Sequence, residues 1–155
     1  MKSYFDSSAL VAVYVTERFS KVARREAQAA LQLPYTQLHD LEVRNALRVL
    51  HGRGTLSARE LRELTSQLDE DLEARRLVET RIDLFDVFRQ ASELSQTHAT
   101  DLLCRSLDIL HVAAAIELHC TRLVSGDDRQ LNLARAVGID PIDVKKAPRA
   151  RRRSS

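Results

Sequence analysis

The chain has 155 residues, enough to bury one substantial hydrophobic core and short for two domains. Its 44% apolar and 30% charged residues are those of an ordinary globular protein, while 5% aromatic residues and no Trp argue against a platform for stacking bases. The net charge of +2 hides an asymmetry: residues 1–140 carry 18 basic and 21 acidic groups, whereas from Pro141 onward six basic residues face the single acid Asp143.

Short strand candidates alternate with longer helical ones along the chain. Residues 3–5 read as a strand that ends at Asp6, helices are expected over 8–15 and 21–31, and a second strand over 34–36. Leu38, Leu41, Val43, Ala46, Leu47 and Leu50 recur in helical rhythm and predict a helix over 38–51, stopped by Gly52 and Gly54. Ser57 and Glu60 have the spacing of a capping box, and the helix they open runs to about residue 75. These two helices make a hairpin whose Arg- and Glu-rich outer surface reads as a solvated face or as a clip for a partner. A short strand follows at Leu77-Val78 or in the segment to Ile82, then a helix over 83–97. From Ser106 to His119 apolar residues cover almost the whole circumference of a helix, which marks it as buried. Arg122-Leu123-Val124 reads as a strand, Ser125-Gly126-Asp127 as its exit loop, 128–137 as a helix closed by Gly138, and 139–144 as a last edge strand whose pairing Pro141 limits.

That order predicts an α/β fold with a mainly parallel sheet and crossover helices. One domain over residues 1–144 is expected, with 145–155 as a disordered basic tail whose Lys145, Lys146, Arg149, Arg151, Arg152 and Arg153 are candidates for holding phosphates. Cys104 and Cys120 fall in what reads as one helical stretch, about 24 Å apart at ~1.5 Å per residue, which puts a disulfide out of reach. With two Cys and no apolar run suited to a signal peptide or a membrane span, a reduced cytoplasmic protein is expected.

Four carboxylates stand where apolar segments meet the starts of helices: Asp6, Glu42, Asp108 and Asp127. Each has an ordinary structural role open to it, because Asp caps helices and the macrodipole stabilises a carboxylate in a first turn by roughly 0.3–1 kcal/mol. Asp108 fits that role least well, since it lies in the wall of an apolar helix and needs a partner, for which Arg105 is the nearest candidate. If the strands before Asp6 and Asp127 are parallel neighbours, both loops open on the carboxyl edge of the sheet, where α/β folds bind ligands. Clustered carboxylates become mutually tolerable around a cation, and oxygen-only ligands select Mg²⁺ or Mn²⁺ over zinc.

Four blocks in this order carry a family resemblance: Tyr4-Phe5-Asp6-Ser7-Ser8-Ala9-Leu10; Glu42 with Arg44-Asn45-Ala46-Leu47; Arg105-Ser106-Leu107-Asp108-Ile109-Leu110-His111-Val112-Ala113; and Ser125-Gly126-Asp127 with Arg129-Gln130. Over nearly all of residues 1–144 the chain resembles the PIN-domain family, and within it the VapC-type ribonuclease toxins of toxin–antitoxin pairs. The resemblance implies a three-layer sandwich with a central sheet of four to five strands and a protruding helical hairpin, and an acidic pocket that holds Mg²⁺ or Mn²⁺ and cuts RNA. It assigns Asp6, Asp108 and Asp127 as metal ligands, Glu42 as the acid that completes the cluster and orients the attacking water, and Ser8, Asn45 and Ser125 as hydrogen-bonding supports. An antitoxin that offers a basic side chain to the acids, and a homodimer, are implied as partners. Ser125 stands where Thr is usual, and Asp127-Asp128 doubles the last acid. The Arg129-Gln130 spacing favours Asp127 as the ligand and leaves Asp128 to cap the helix.

The other readings are weaker. His39, His51, His98, His111 and His119 have no zinc-ligand spacing, and His111 on the buried helix reads as a hydrogen-bonded core residue. The four glycines are scattered, so no phosphate loop exists. A receiver domain also gathers acids at strand ends, but Asp108 within a helix fits it poorly. A non-catalytic PIN-like module that binds nucleic acid or regulates remains the main rival.

Overall fold

The computed structural model describes residues 2–30 and 32–146. Among these, five strands and seven helices alternate: β1 (Ser3–Phe5), α1 (Ser7–Tyr14), α2 (Ser20–Ala30), β2 (Leu33–Tyr35), α3 (Gln37–Gly52), α4 (Ala58–Glu73), β3 (Leu77–Glu79), α5 (Leu84–Leu102), α6 (Ser106–Glu117), β4 (Arg122–Ser125), α7 (Asp128–Ala136) and β5 (Asp140–Asp143). All the strand pairings are parallel. The expected α/β sandwich is therefore present, and the register of β1 on β4, with Phe5 opposite Val124, brings Asp6 and Ser125 to one edge.

Sheet pleating sorts the core. Phe5 and Val124 point into one apolar layer with α1 and α3, while their neighbours Tyr4 and Leu123 point into the other with α5, α6 and α7. Burying each such side chain is worth roughly 1.5–3 kcal/mol, so a register slip of one residue would exchange the two layers. α6 is buried round most of its circumference, as its composition predicts, with Val112, Ala113, Ala114 and Ala115 fully enclosed.

The strands are hydrogen-bonded as β1-β4-β5 and, separately, as β2-β3. β2 lies beside β1, but a side chain stands where a ladder bond would run: His39 Nε2 donates to the Phe5 carbonyl at 2.8 Å. The same ring takes the Thr36 N–H on Nδ1 at 3.0 Å, closing a capping box at the start of α3. That pattern fixes the tautomer with the proton on Nε2. His39 is fully buried, and burial together with nearby His111 lowers its pKa to about 3.

The hairpin of α3 and α4 is tied by Arg44, which reaches Asp40 and Asp69 at 2.7 Å each, and to the body by the Tyr14 hydroxyl on Asp71 at 2.7 Å. Ser57 and Glu60 form the predicted capping box. α5 extends five residues past its expected end, because nothing in the sequence stops it until Leu103 adopts a left-handed φ of 54°. Cys104 consequently sits in the connection before α6 rather than on a helix shared with Cys120, and both thiols are free.

Lys145 and Lys146 fold back onto the body, pairing with Asp128 at 2.6 Å and Asp143 at 3.5 Å. Arg149, Arg151, Arg152 and Arg153 lie outside the described residues. No helix among the described residues is long and apolar enough to cross a membrane.

Candidate active site

Three of the four acids stand at helix starts that converge on the carboxyl edge of β1 and β4. Asp6 is the N-cap of α1, Asp127 the N-cap of α7, and Asp108 lies in the first turn of α6. The caps divide each carboxylate between two tasks. Asp6 Oδ1 accepts the Ala9 N–H at 2.7 Å and the Ser8 hydroxyl at 2.8 Å, which leaves Oδ2 to accept the Ser125 hydroxyl at 2.6 Å. Asp127 Oδ1 accepts the N–H of Arg129 at 2.8 Å, while Oδ2 faces the guanidinium groups of Arg129 and Arg105, each at 3.4 Å.

Ser125, fully buried, is the hinge between these two acids: the oxygen that donates to Asp6 also accepts the Asp127 N–H at 2.9 Å. Asp127, not Asp128, therefore caps α7. Asp128 is exposed and turned to Lys145, so the expectation that it would cap is corrected.

Asp108 finds the partner its position demands. Oδ2 accepts the Arg105 N–H at 3.0 Å and lies 3.7 Å from Arg105 Nε, while Oδ1 accepts no hydrogen bond among the described residues. One exposed guanidinium thus spans Asp108 and Asp127. Glu42 enters from α3, where its Oε2 accepts the Ser7 hydroxyl at 2.7 Å and the His111 Nε2–H at 2.7 Å. The far side of that imidazole meets the Tyr4 hydroxyl at 2.9 Å. Because Ser7 and Glu42 meet the same ring nitrogen, the trio lacks the two-sided connection of a Ser-His-acid triad.

Electrostatics separate the acids. Burial pushes the Asp6 carboxyl above its ordinary value, against the opposing pull of His111 and of the bonds from Ser125, Ala9 and Ser8. Burial also works on Glu42 and Asp127, yet the bonds from His111 and Ser7 to the first, and from Arg129 and Gln130 to the second, outweigh it and hold both below the usual carboxylate range. Glu42 and Asp127 are ionised at neutral pH.

Of the expected supports, Ser8 and Ser125 bind Asp6 directly, whereas Asn45 is exposed on α3 and makes no side-chain hydrogen bond among the described residues. Sequence reasoning passed over Ser7 and left His111 out of the site. The signals were present, in Ser7 directly after Asp6 and in His111 three residues beyond Asp108 on the same helix.

The family model of the PIN domain matches residues 3–136. The chain belongs to the PIN-domain family. PIN domains are in general nucleases that act on nucleic acid and bind divalent metals. Comparison with curated proteins gives no match.

This PIN domain offers a hard ion the right atoms. The four carboxylates supply oxygen only, and among the described residues Asp108 Oδ1 and Glu42 Oε1 take no hydrogen bond. Among the described residues no three acidic, His or Cys side chains stand close enough to hold an ion where they are now placed. Arg105 already supplies positive charge to two of the acids, and its side chain is 67% exposed. Beside the acids, an open cleft of about 270 Å³ is lined by Ser8, Ala12, Glu17, Phe19, Gly126, Asp127 and Val144.

Proposed function

We propose that this PIN domain is a metal-dependent endoribonuclease that hydrolyses RNA phosphodiester bonds with Mg²⁺ or Mn²⁺, and that it is the toxin of a VapBC-type toxin–antitoxin pair. The observation that carries the reading is the Ser125 hydroxyl joining a buried Asp6 to the Asp127 loop across adjacent parallel strands. A buried carboxylate is costly unless compensated, and Asp6 is only 4% exposed with no cation bonded to it among the described residues.

Asp6, Asp108 and Asp127 would hold the ion, Asp6 through the spare lone pair on Oδ2 and Asp108 through Oδ1. When bound, a divalent cation supplies Lewis-acid stabilisation of charge developing on the phosphate. The chain's own groups do the rest. Glu42, ionised and fixed by one oxygen, presents the other to orient the attacking water and accept its proton. Ser8 and Ser125 keep Asp6 in one rotamer, and Arg105, once displaced from the acids, is placed to meet a substrate phosphate.

The toxin assignment rests on the four motif blocks in VapC-like order and spacing. It brings a cognate antitoxin, a homodimer and a cytoplasmic location with it. The contact of Arg105 with two acids illustrates how a basic side chain from an antitoxin would quench the site.

A non-catalytic reading draws on one observation, the lack of a ready three-ligand cluster with Arg105 in place. Incubating the purified protein with structured and single-stranded RNA, with Mg²⁺, Mn²⁺ or chelator, separates the two. Cleavage that needs metal and disappears in a folded Asp6→Asn variant is expected. Metal-dependent cutting that persists in that variant excludes this site, and no cutting by the native chain leaves the binding module.

A further inference from the structure

Resting on that reading, the geometry points to a further positioning residue: His111, braced by Tyr4, fixes Glu42 through Oε2 so that Oε1 alone is presented to the water or ion at the acidic edge.

The argument is one of hydrogen-bond inventory. An ionised carboxylate only accepts, so His111 Nε2 must be the donor in its 2.7 Å contact with Glu42. With Nε2 committed to Glu42, Nδ1 on the far side of the ring lies 2.9 Å from the Tyr4 hydroxyl, within hydrogen-bonding distance. Tyr4 is fully buried on β1, two residues before Asp6, and His111 is buried on α6, three residues after Asp108. The relay therefore ties Glu42, on α3, to β1 and α6, the elements beside Asp6 and Asp108. Ser7 adds a second donor to the same oxygen, and Oε1 takes no bond among the described residues. A long Glu side chain projecting from a helix samples several rotamers in water; two donors on one oxygen remove that freedom and leave the other oxygen pre-aimed. The rings of Tyr4, His39 and His111 lie within 5.8 Å of one another, a packed block that keeps the imidazole plane from turning.

The relay predicts which substitutions are tolerated. The side-chain amide nitrogen of Gln reaches the place of imidazole Nε2, whereas that of Asn reaches only the place of Nδ1. His111→Gln should keep kcat within about threefold, while His111→Asn should lower kcat by about 10- to 100-fold with KM little changed, the loss of a hydrogen bond to a charged group. Tyr4→Phe retains the ring and loses only the brace; a smaller kcat loss is expected, and none further when it is added to His111→Asn.

The experiment measures kcat and KM for RNA cleavage with Mn²⁺ in these full-length variants, beside calorimetric Mn²⁺ titration and a His111–Glu42 double-mutant cycle in thermal unfolding. Rescue by Gln but not Asn, with coupling in the cycle, supports the relay. Equal losses for Gln and Asn, additive effects of Tyr4→Phe, or native kcat in His111→Asn overturn it. If the native chain cuts no RNA, the nuclease reading falls by itself, and the cycle still decides the relay: coupling between His111 and Glu42 supports it and no coupling overturns it, while Mn²⁺ affinity, assigned to Asp6, Asp108 and Asp127, should stay unchanged in the His111 variants.

Discussion

Ser125→Ala removes one oxygen that serves two acids. The variant loses a 2.6 Å bond to a buried carboxylate and orphans the Asp127 N–H that the same oxygen accepts at 2.9 Å. A hydrogen bond to a charged group contributes about 1.5–3 kcal/mol and an unpaired amide in a partly wet loop adds about 1, so the expected loss is about 2–4 kcal/mol, or roughly 5–15 °C in Tm for a chain of this length. pH supplies the decisive control. The Asp6 pKa is raised by burial, so its ionisation opposes folding: that penalty is absent below the unfolded pKa and is fully present once the pH exceeds the folded pKa. Ser125 relieves part of the penalty by bonding the charged form. Removing it moves the folded pKa of Asp6 further up, so the gap between native and variant is widest at neutral pH and narrows on acidification, where only a neutral bond is lost. Thermal unfolding of metal-free protein at about pH 7.5 and about pH 3.5, one on each side of the ordinary carboxylate range, reads this directly. A gap that is equal at the two pH values, or below about 1 kcal/mol at the higher one, refutes the assigned bond. Ser125→Thr, which keeps the hydroxyl, should recover most of the loss.

The remaining expectations concern charge. Arg105→Gln leaves Asp108 and Asp127 without their shared cation; Mn²⁺ binding should tighten by about 3- to 10-fold, given that exposed ion pairs contribute about 0.2–1 kcal/mol each, and unchanged or weaker affinity by calorimetry contradicts the competition. His39 has its pKa lowered from the ordinary 6.5 to about 3, so the unfolded chain takes up the proton first and stability falls as pH drops through 6.5; by pH 5 the loss from this group is about 2 kcal/mol, and a His39→Gln variant should show a correspondingly flatter pH dependence of Tm. Deleting residues 147–155 removes four arginines and should flatten the slope of log affinity for single-stranded RNA against log salt by about 3 if all of them meet phosphates; an unchanged slope assigns the tail no part in binding.

What the sequence disclosed and what it concealed divide along a physical line. Asp6, Asp108 and Asp127 were legible because helix starts have local grammar: a cap residue, a following apolar run, and a spacing that places a side-chain oxygen over free N–H groups. Arg105 as the partner of Asp108 was legible for the same reason, since the two lie within one turn. The His111–Glu42 contact spans 69 residues and the Ser7–His111 contact 104, and no local pattern announces either. His39 was hidden more deeply. The sequence shows only that it has no zinc-ligand spacing and falls within the helix expected over 38–51; the tertiary structure shows its imidazole standing in for a ladder bond between β1 and β2. Asn45, chosen by likeness to a family motif, shows the converse, a matched residue that the fold leaves exposed.

The structural and the chemical explanations of these acids are commonly set against each other, yet here they require the same atoms. A cap uses one carboxylate oxygen and fixes the torsions of the side chain, which aims the second oxygen. In Asp6 and Asp127 the capping oxygen is Oδ1 and the aimed oxygen is Oδ2. Glu42 cannot use this device, because it lies in the second turn of α3, where backbone N–H groups are already bonded within the helix. Its restraint has to come from elsewhere in the chain, and Ser7 and His111 provide it. The site is thus built by one rule applied twice over: at least one oxygen of each carboxylate is held by the fold, by backbone amides where a helix start supplies them and by buried side chains where it does not. Three helix N-termini turned toward the same edge also contribute positive potential, which eases the crowding of negative charge before any metal arrives.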